Sequence, residues 1–205
     1  MKIAIDGPAA AGKTTLARSL ARELGYLFVP TGAMYRAAAL AKKRGLPPEQ
    51  ARIEVREGGR ILLEGEDVTD LLASPDLDEL SSQVAVDSAV RRHLVALQRQ
   101  IAAGRQVVME GRDIGTVVLP DAELKLFLWA EPEERARRRV AERGGDFQEH
   151  LAAIRRRDER DSTREDSPLR PAPDAVILDT TALSPEEVLA QAVRLVEERR
   201  AQLAG

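Results

Sequence analysis

Residues Gly7 to Thr14 read Gly-Pro-Ala-Ala-Ala-Gly-Lys-Thr and follow the apolar run Ile3-Ala4-Ile5 directly. This is a complete G-x-x-x-x-G-K-[ST] pattern, and the chemistry it serves is phosphate binding. Backbone N–H groups of such a loop surround phosphate oxygens, and the helix that follows points its positive end at them. Gly7 and Gly12 permit close backbone approach, with Pro8, Ala9, Ala10 and Ala11 forming the loop between them. Lys13 is long enough to reach β- and γ-phosphates, and Thr14, followed by Thr15, offers a hydroxyl to nucleotide-bound Mg²⁺. Binding of a nucleoside triphosphate is the first expectation.

A phosphate loop does not say where the γ-phosphate goes. Three arginine-bearing segments address that: Thr31-Gly32-Ala33-Met34-Tyr35-Arg36, Glu110-Gly111-Arg112-Asp113, and Arg155 to Arg164. The first two follow strand-like runs, and residues just past the carboxyl ends of parallel strands converge on one crevice. Arg36 and Arg112 are therefore expected to face the same site as Lys13. The stretch Ile154-Arg155-Arg156-Arg157-Asp158-Glu159-Arg160-Asp161 is too charged to be buried unless a ligand neutralises it, which suits an arginine-bearing lid over phosphates. Arg135 and Arg137 to Arg139 are read as a solvated helix face, and His93 and His150 as having no site role. With two histidines and no cysteine, no metal site beyond nucleotide-bound Mg²⁺ is expected.

The elements that must position these groups are legible in the apolar pattern. Strand-length runs occupy Lys2 to Ile5, Tyr26 to Val29, Gln106 to Met109, Leu124 to Trp129 and Ala175 to Leu178. Their consecutive apolar positions suit strands buried on both faces, and helical patterns separate them. The expectation is an α/β fold, a three-layer arrangement with about five parallel strands. Helices are predicted over Lys13 to Leu24, Ala33 to Arg44, Leu77 to Ala103, Pro132 to Arg143, Phe147 to Arg160 and Pro185 to Leu203. Ser184-Pro185-Glu186-Glu187 is a helix-entry signal with an N-cap serine, and Glu131-Pro132-Glu133-Glu134 brings carboxylates to a helix N-terminus. One stretch breaks the alternation: Arg52 to Glu57, Gly58-Gly59, then Arg60 to Glu64 read as an antiparallel hairpin, so about Leu46 to Ala73 form a small insertion.

Composition narrows the function classes. The 205 residues, 43% hydrophobic, predict a single core domain. No apolar run reaches the roughly 20 residues needed to cross a membrane, and the chain enters its first strand without a signal peptide, so a cytoplasmic location is expected. The absence of asparagine removes the Asn-Lys-x-Asp guanine motif of GTPases. Missing Asn and Cys, few Met and an arginine excess are shared by heat-adapted proteins and by products of GC-rich genomes. A net charge of −3 with interleaved signs gives no electrostatic reason to bind nucleic acid, and without a heptad seam a monomer is expected.

Taken together these residues resemble the small P-loop nucleoside monophosphate kinases, and among them the bacterial-type cytidylate kinases, over nearly the whole chain. The specific marks are Ile5-Asp6-Gly7-Pro8, Thr31 to Arg36, Leu63-Glu64-Gly65-Glu66-Asp67-Val68, Ser82-Gln83-Val84-Ala85, Glu110 to Val118 and Arg157-Asp158-Glu159-Arg160-Asp161. The resemblance implies ATP-dependent phosphorylation of CMP and dCMP, a core over about residues 1–45, 74–145 and 165–205, the insertion (about 46–73) over the acceptor site, and a mobile lid at about 146–164. By position, Arg36, Arg112, Arg157 and Arg164 match residues that grip phosphates. Thr31, Ser82, Arg91, Asp113 and Asp161 match those around the nucleoside, and Lys13, Arg112, Arg157 and Arg160 fall to catalysis. Asp113 and Arg91 would read cytosine N4 and N3. Pro30 stands where the family usually carries aspartate, and Thr31 where serine is also common. Two readings compete: another small P-loop kinase, acting on a different nucleotide or a metabolite such as shikimate, and a regulatory P-loop ATPase.

Overall fold

The computed structural model describes all 205 residues. Five strands, β1 (Lys2–Asp6), β2 (Leu27–Pro30), β6 (Val107–Gly111), β7 (Leu124–Trp129) and β8 (Val176–Asp179), form one parallel sheet in the order β2-β6-β1-β7-β8. The phosphate loop leaves the central strand. Register pairs Asp6 with Gly111, and Pro30 with Glu110, so the ends of β1, β2 and β6 deliver the loop, Thr31 and Arg112 to one edge of the sheet.

Helices cover both faces. α1 (Lys13–Leu24) and α7 (Pro185–Ala204) bury Leu16, Leu20, Val188, Ala192 and Val196 against Ile3, Ile5 and Leu126. α2 (Thr31–Lys43) and α4 (Ser88–Ala102) bury Met34, Val90 and Leu94 on the other face. Ala37, Ala38, Ala39 and Ala41 are all fully buried, because α2 is sandwiched between the sheet and the insertion, and only small side chains let it sit close to both. The insertion is the antiparallel sheet β3 (Ile53–Arg56), β4 (Arg60–Leu63) and β5 (Glu66–Asp67). Its Ile53, Val55, Ile61 and Leu63 belong to the same apolar cluster as Met34, so it shares the core rather than folding around its own.

Helix entries follow local chemistry. Ser184 Oγ accepts from the Glu187 amide at 3.1 Å with Pro185 at the first helical position, as the sequence predicts. One helix in the prediction is two in the structure: Leu77 to Ala103 divides into α3 (Asp76–Val84) and α4. The break comes at Asp87, whose carboxylate accepts from the Ala89 and Val90 amides and so starts a new helix. α5 (Pro132–Arg143) and α6 (Phe147–Thr163) pack as a hairpin with a small apolar cluster of Ala136, Leu151 and Ile154, separate from the two main ones.

Candidate active site

The loop after β1 turns sharply because Gly7 takes φ 151°, and a Cβ there would stand 2.2 Å from the Leu128 carbonyl oxygen. Gly12, at φ 96°, swings the chain into α1 so that its first amides face the loop. Lys13 is buried and its Nζ donates to the Pro8 carbonyl at 2.8 Å. Thr14 Oγ1 donates to Glu110 Oε1 at 2.9 Å. Burial, with further repulsion from Arg112 and Arg157 outweighing the pull of Glu110 and Asp161, holds the Lys13 ammonium down to about 7. The site thus concentrates more positive charge than its own carboxylates balance, which is the electrostatics of an anion site.

A cleft of about 810 Å³ runs from the loop across the sheet edge. At one end Thr15, Arg138, Thr180 and Leu183 line it, and at the other Arg36, Arg112, Arg139, Arg143 and Arg157. A second cavity of about 30 Å³ adjoins it, lined by Thr31, Tyr35, Ser82, Arg91, Asp113, Arg164 and others, and sharing Arg112, Arg157 and Gly111 with the cleft. Arg91 pairs with Asp113, and both are buried. Asp6 supports this wall: its carboxylate accepts from the Ile114 and Gly115 amides at 2.8 Å each, in the π-helical turn after Asp113. Tyr35 Oη, Arg157 Nε and Arg164 Nη2 are buried without a hydrogen-bond partner. Arg112 and Asp161 meet as an ion pair without a directed hydrogen bond. Such a concentration of unsatisfied polar atoms marks a place built for a polar ligand.

A family model described as cytidylate kinase matches residues 3–198. The chain belongs to the cytidylate kinase family. It is 50% identical to a cytidylate kinase of Pelotomaculum thermopropionicum, over 97% of this chain and 96% of that protein. Against a cytidylate kinase of Geobacillus sp. (strain WCH70) it is 47% identical over 97% of each. Among solved structures, a shikimate kinase from Bacteroides thetaiotaomicron superposes with a TM-score of 0.52 at 14% identity, covering 96% of this chain and 98% of that one. A gluconokinase from Sinorhizobium meliloti gives 0.52 at 16%, over 98% and 96%. At such identities these two establish a shared kinase fold alone.

Against the cytidylate kinase resemblance drawn from sequence, the structure gathers Lys13, Arg36, Arg112 and Arg157 around the cleft, and Thr31, Ser82, Arg91, Asp113, Asp161 and Arg164 around the second cavity. Arg160 is not brought in. It lines neither cavity and donates to Ser82 Oγ and Glu79 Oε1, each at 2.7 Å.

The solvated reading of α5 is overturned for most of its arginines. Arg135 is 2% exposed: Nε donates to the Ala130 carbonyl at 2.9 Å, Nη1 to the Ala9 carbonyl at 3.3 Å, and Nη1 and Nη2 grip Asp158 at 2.9 and 2.6 Å. Arg138 donates to the Thr180 carbonyl at 2.5 Å and lines the cleft, as does Arg139. The signal was present: Pro132, Arg135, Ala136, Arg139, Val140 and Arg143 follow the i, i+3, i+4, i+7 spacing of an inward helix face. Only Arg137 stays outside, paired with Glu134 at 3.0 Å. His93 and His150 bond the Ala51 and Gly144 carbonyls at 2.7 and 2.8 Å.

Proposed function

We propose that this protein transfers the γ-phosphoryl group of ATP to the phosphate of CMP and dCMP in a direct in-line displacement. The observation that carries the reading is the continuous cleft. It joins the phosphate loop to the cluster of Arg36, Arg112 and Arg157, and that cluster opens on the polar cavity of Arg91 and Asp113. Family membership supports the same acceptor. The phosphate loop, Arg138, Thr180 and Leu183 would hold the donor, with its base between α5 and the start of α7. Arg36, Arg112, Arg157 and Arg164 would take the acceptor phosphate.

The chemistry asks for alignment and for cations around the transferring group, because negative charge spreads over its equatorial oxygens. Lys13, Arg112 and Arg157 supply them. The acceptor phosphate has a second pKa of about 6 and is largely a dianion at neutral pH, so no general base is required. Thr14 and Glu110 suit Mg²⁺: one hydroxyl and one carboxylate, 2.9 Å apart, match an ion that retains water and shares phosphate oxygens rather than filling a protein cage. No group of three or more His, Cys, Asp or Glu side chains could form such a cage. When bound, Mg²⁺ would neutralise charge across the β- and γ-phosphates.

The second cavity has room for one or two waters, not for a pyrimidine. Acceptor entry therefore requires α3, which carries Ser82, to part from α6, which carries Arg157 and Asp161 and is held to α3 through Arg160. We take α6, with the end of α5, as the moving lid. Asp113 would accept from cytosine N4, and Arg91 would donate to N3. A site built on such groups rejects ligands that leave them unmatched. No helix is long and apolar enough to cross a membrane, and a monomer acting on small molecules in the cytoplasm is the arrangement we favour.

The test is ADP release with ATP and Mg²⁺ against CMP, dCMP, UMP, AMP, GMP, TMP and shikimate in separate reactions. Fast turnover is expected with CMP and dCMP and much slower turnover with UMP. Turnover confined to another acceptor, or ATP hydrolysis indifferent to acceptor, sinks the reading.

Lys13 provides a second expectation. Phosphates placed beside it offset Arg112 and Arg157 and favour its ammonium, so its pKa rises from about 7 on nucleotide binding. The bound state then holds more protons than the free one, and affinity for ATP falls as pH rises above about 7. Calorimetry at pH 8 in two buffers of different ionisation enthalpy should show proton uptake on binding; uptake of zero overturns this.

A further inference from the structure

Asp78, in the first turn of α3, joins three elements. It accepts from Arg36 of α2 and, at 2.5 Å, from Arg143 Nη1 at the end of α5. Arg36 has no other carboxylate partner, and its Nη1 is steadied separately by the Leu72 carbonyl at 3.0 Å. Burial works to raise the Asp78 carboxyl, but Arg36 and Arg143 outweigh it and hold it below the usual carboxylate range. Arg139 is crowded into the same corner, its cation disfavoured by burial and then by Arg143.

We propose that Asp78 is a placeholder for the acceptor phosphate, occupying Arg36 and Arg143 until the phosphate takes Arg36 over, and that it thereby limits acceptor affinity and ties acceptor arrival to release of α3 from α5. The inference rests on the reading of Arg36 as a ligand of the acceptor phosphate. Two arguments of the same sign support it. A phosphate dianion on Arg36 stands close to the Asp78 carboxylate in a half-buried corner where screening is limited, so the two anions repel and one must give way. Acceptor entry as proposed requires α3 to part from α6, and Asp78–Arg143, which holds α3 to the helix hairpined with α6, is one of the ties opposing that motion, beside Glu79–Arg160. Removing the Asp78 charge relieves both.

The experiment compares Asp78→Asn, which keeps the shape, and Asp78→Ala with the unaltered protein. KM for CMP is expected to fall by about 3- to 10-fold in both, the range for loss of one partly exposed like-charge contact, with KM for ATP unchanged. Cytidine, which carries no phosphate, should gain less affinity by calorimetry than CMP does. A residue that merely organised Arg36 would raise KM for CMP when removed, and a rise, no change, or an equal gain for cytidine overturns the proposal. Arg36→Gln separates the two levels of argument. KM for CMP unchanged in that variant removes the phosphate reading itself, whereas a large rise there with no fall in Asp78→Asn removes the placeholder alone.

Discussion

Arg157→Ala is expected to lower kcat by about 10³ or more while changing KM for ATP by less than about 3-fold. Arg157 lines both cavities, and its Nε is buried without a hydrogen-bond partner. Repulsion from Arg112, followed by burial, brings its pKa down to about 9, so the protein holds this cation at a disadvantage until an anion arrives beside it. On the proposed function, the acceptor phosphate relieves part of that disadvantage on binding, and charge developing on a phosphoryl group between Lys13, Arg112 and Arg157 would relieve the rest. The loss is therefore expected in kcat and in KM for CMP rather than in KM for ATP. Steady-state kinetics with both substrates varied measures it, and Arg137→Ala, on the exposed side of α5, is the control expected to leave both constants alone. An unchanged kcat for Arg157→Ala removes α6 from the chemistry.

The largest stability effect is expected at Asp158. Its carboxylate is the only charge facing the buried Arg135 guanidinium, whose other partners are the Ala130 and Ala9 carbonyls. Asp158→Ala leaves that cation without a counter-ion, at a cost of about 3 kcal/mol. For a domain of this size the melting temperature should fall by roughly 6–12 °C. The double variant Arg135→Met with Asp158→Leu removes both charges and should recover most of the loss, because a buried pair adds little net stability over apolar groups of similar volume. A fall below about 2 °C in the single variant would show that water reaches Arg135. The same pair connects function to fold. Ala9 lies in the phosphate loop beside Ala10, which has φ 60°, and Asp158 adjoins Arg157, so in this conformation one guanidinium bonds both the loop and the arginine-bearing helix.

How much of this was legible in the chain depends on the range of the interaction concerned. Strand positions, the parallel sheet, the hairpin at Gly58-Gly59 and the phosphate loop are written in local pattern: runs apolar on consecutive residues, a helix-entry serine, glycines at turns. Each is decided within a few residues, and the strand ends appear in the structure within two positions of those expected. The split at Asp87 was local too, but an apolar stripe continuing on both sides concealed an N-cap that can start a helix anew.

The arginines of α5 show the limit. Their spacing on the inward face was readable, yet arginine on that face has two meanings, a snorkelling stem or a buried cation. Only the approach of Asp158 from α6 and of Ala9 from the phosphate loop selects the second. Arg160 is the converse case, a charge in the expected segment that is held on Glu79 and Ser82 of α3 and lines neither cavity. By itself the sequence determined the fold class, the phosphate loop and the residue types that line the cleft and its adjoining cavity, because these rest on periodicity and on motifs closed within one stretch of chain. Only the tertiary structure decided which arginines line the cleft, which brace the protein, and that Asp78 stands between Arg36 and Arg143. Ion pairs form between elements far apart in sequence, and a charged side chain carries no mark of its partner.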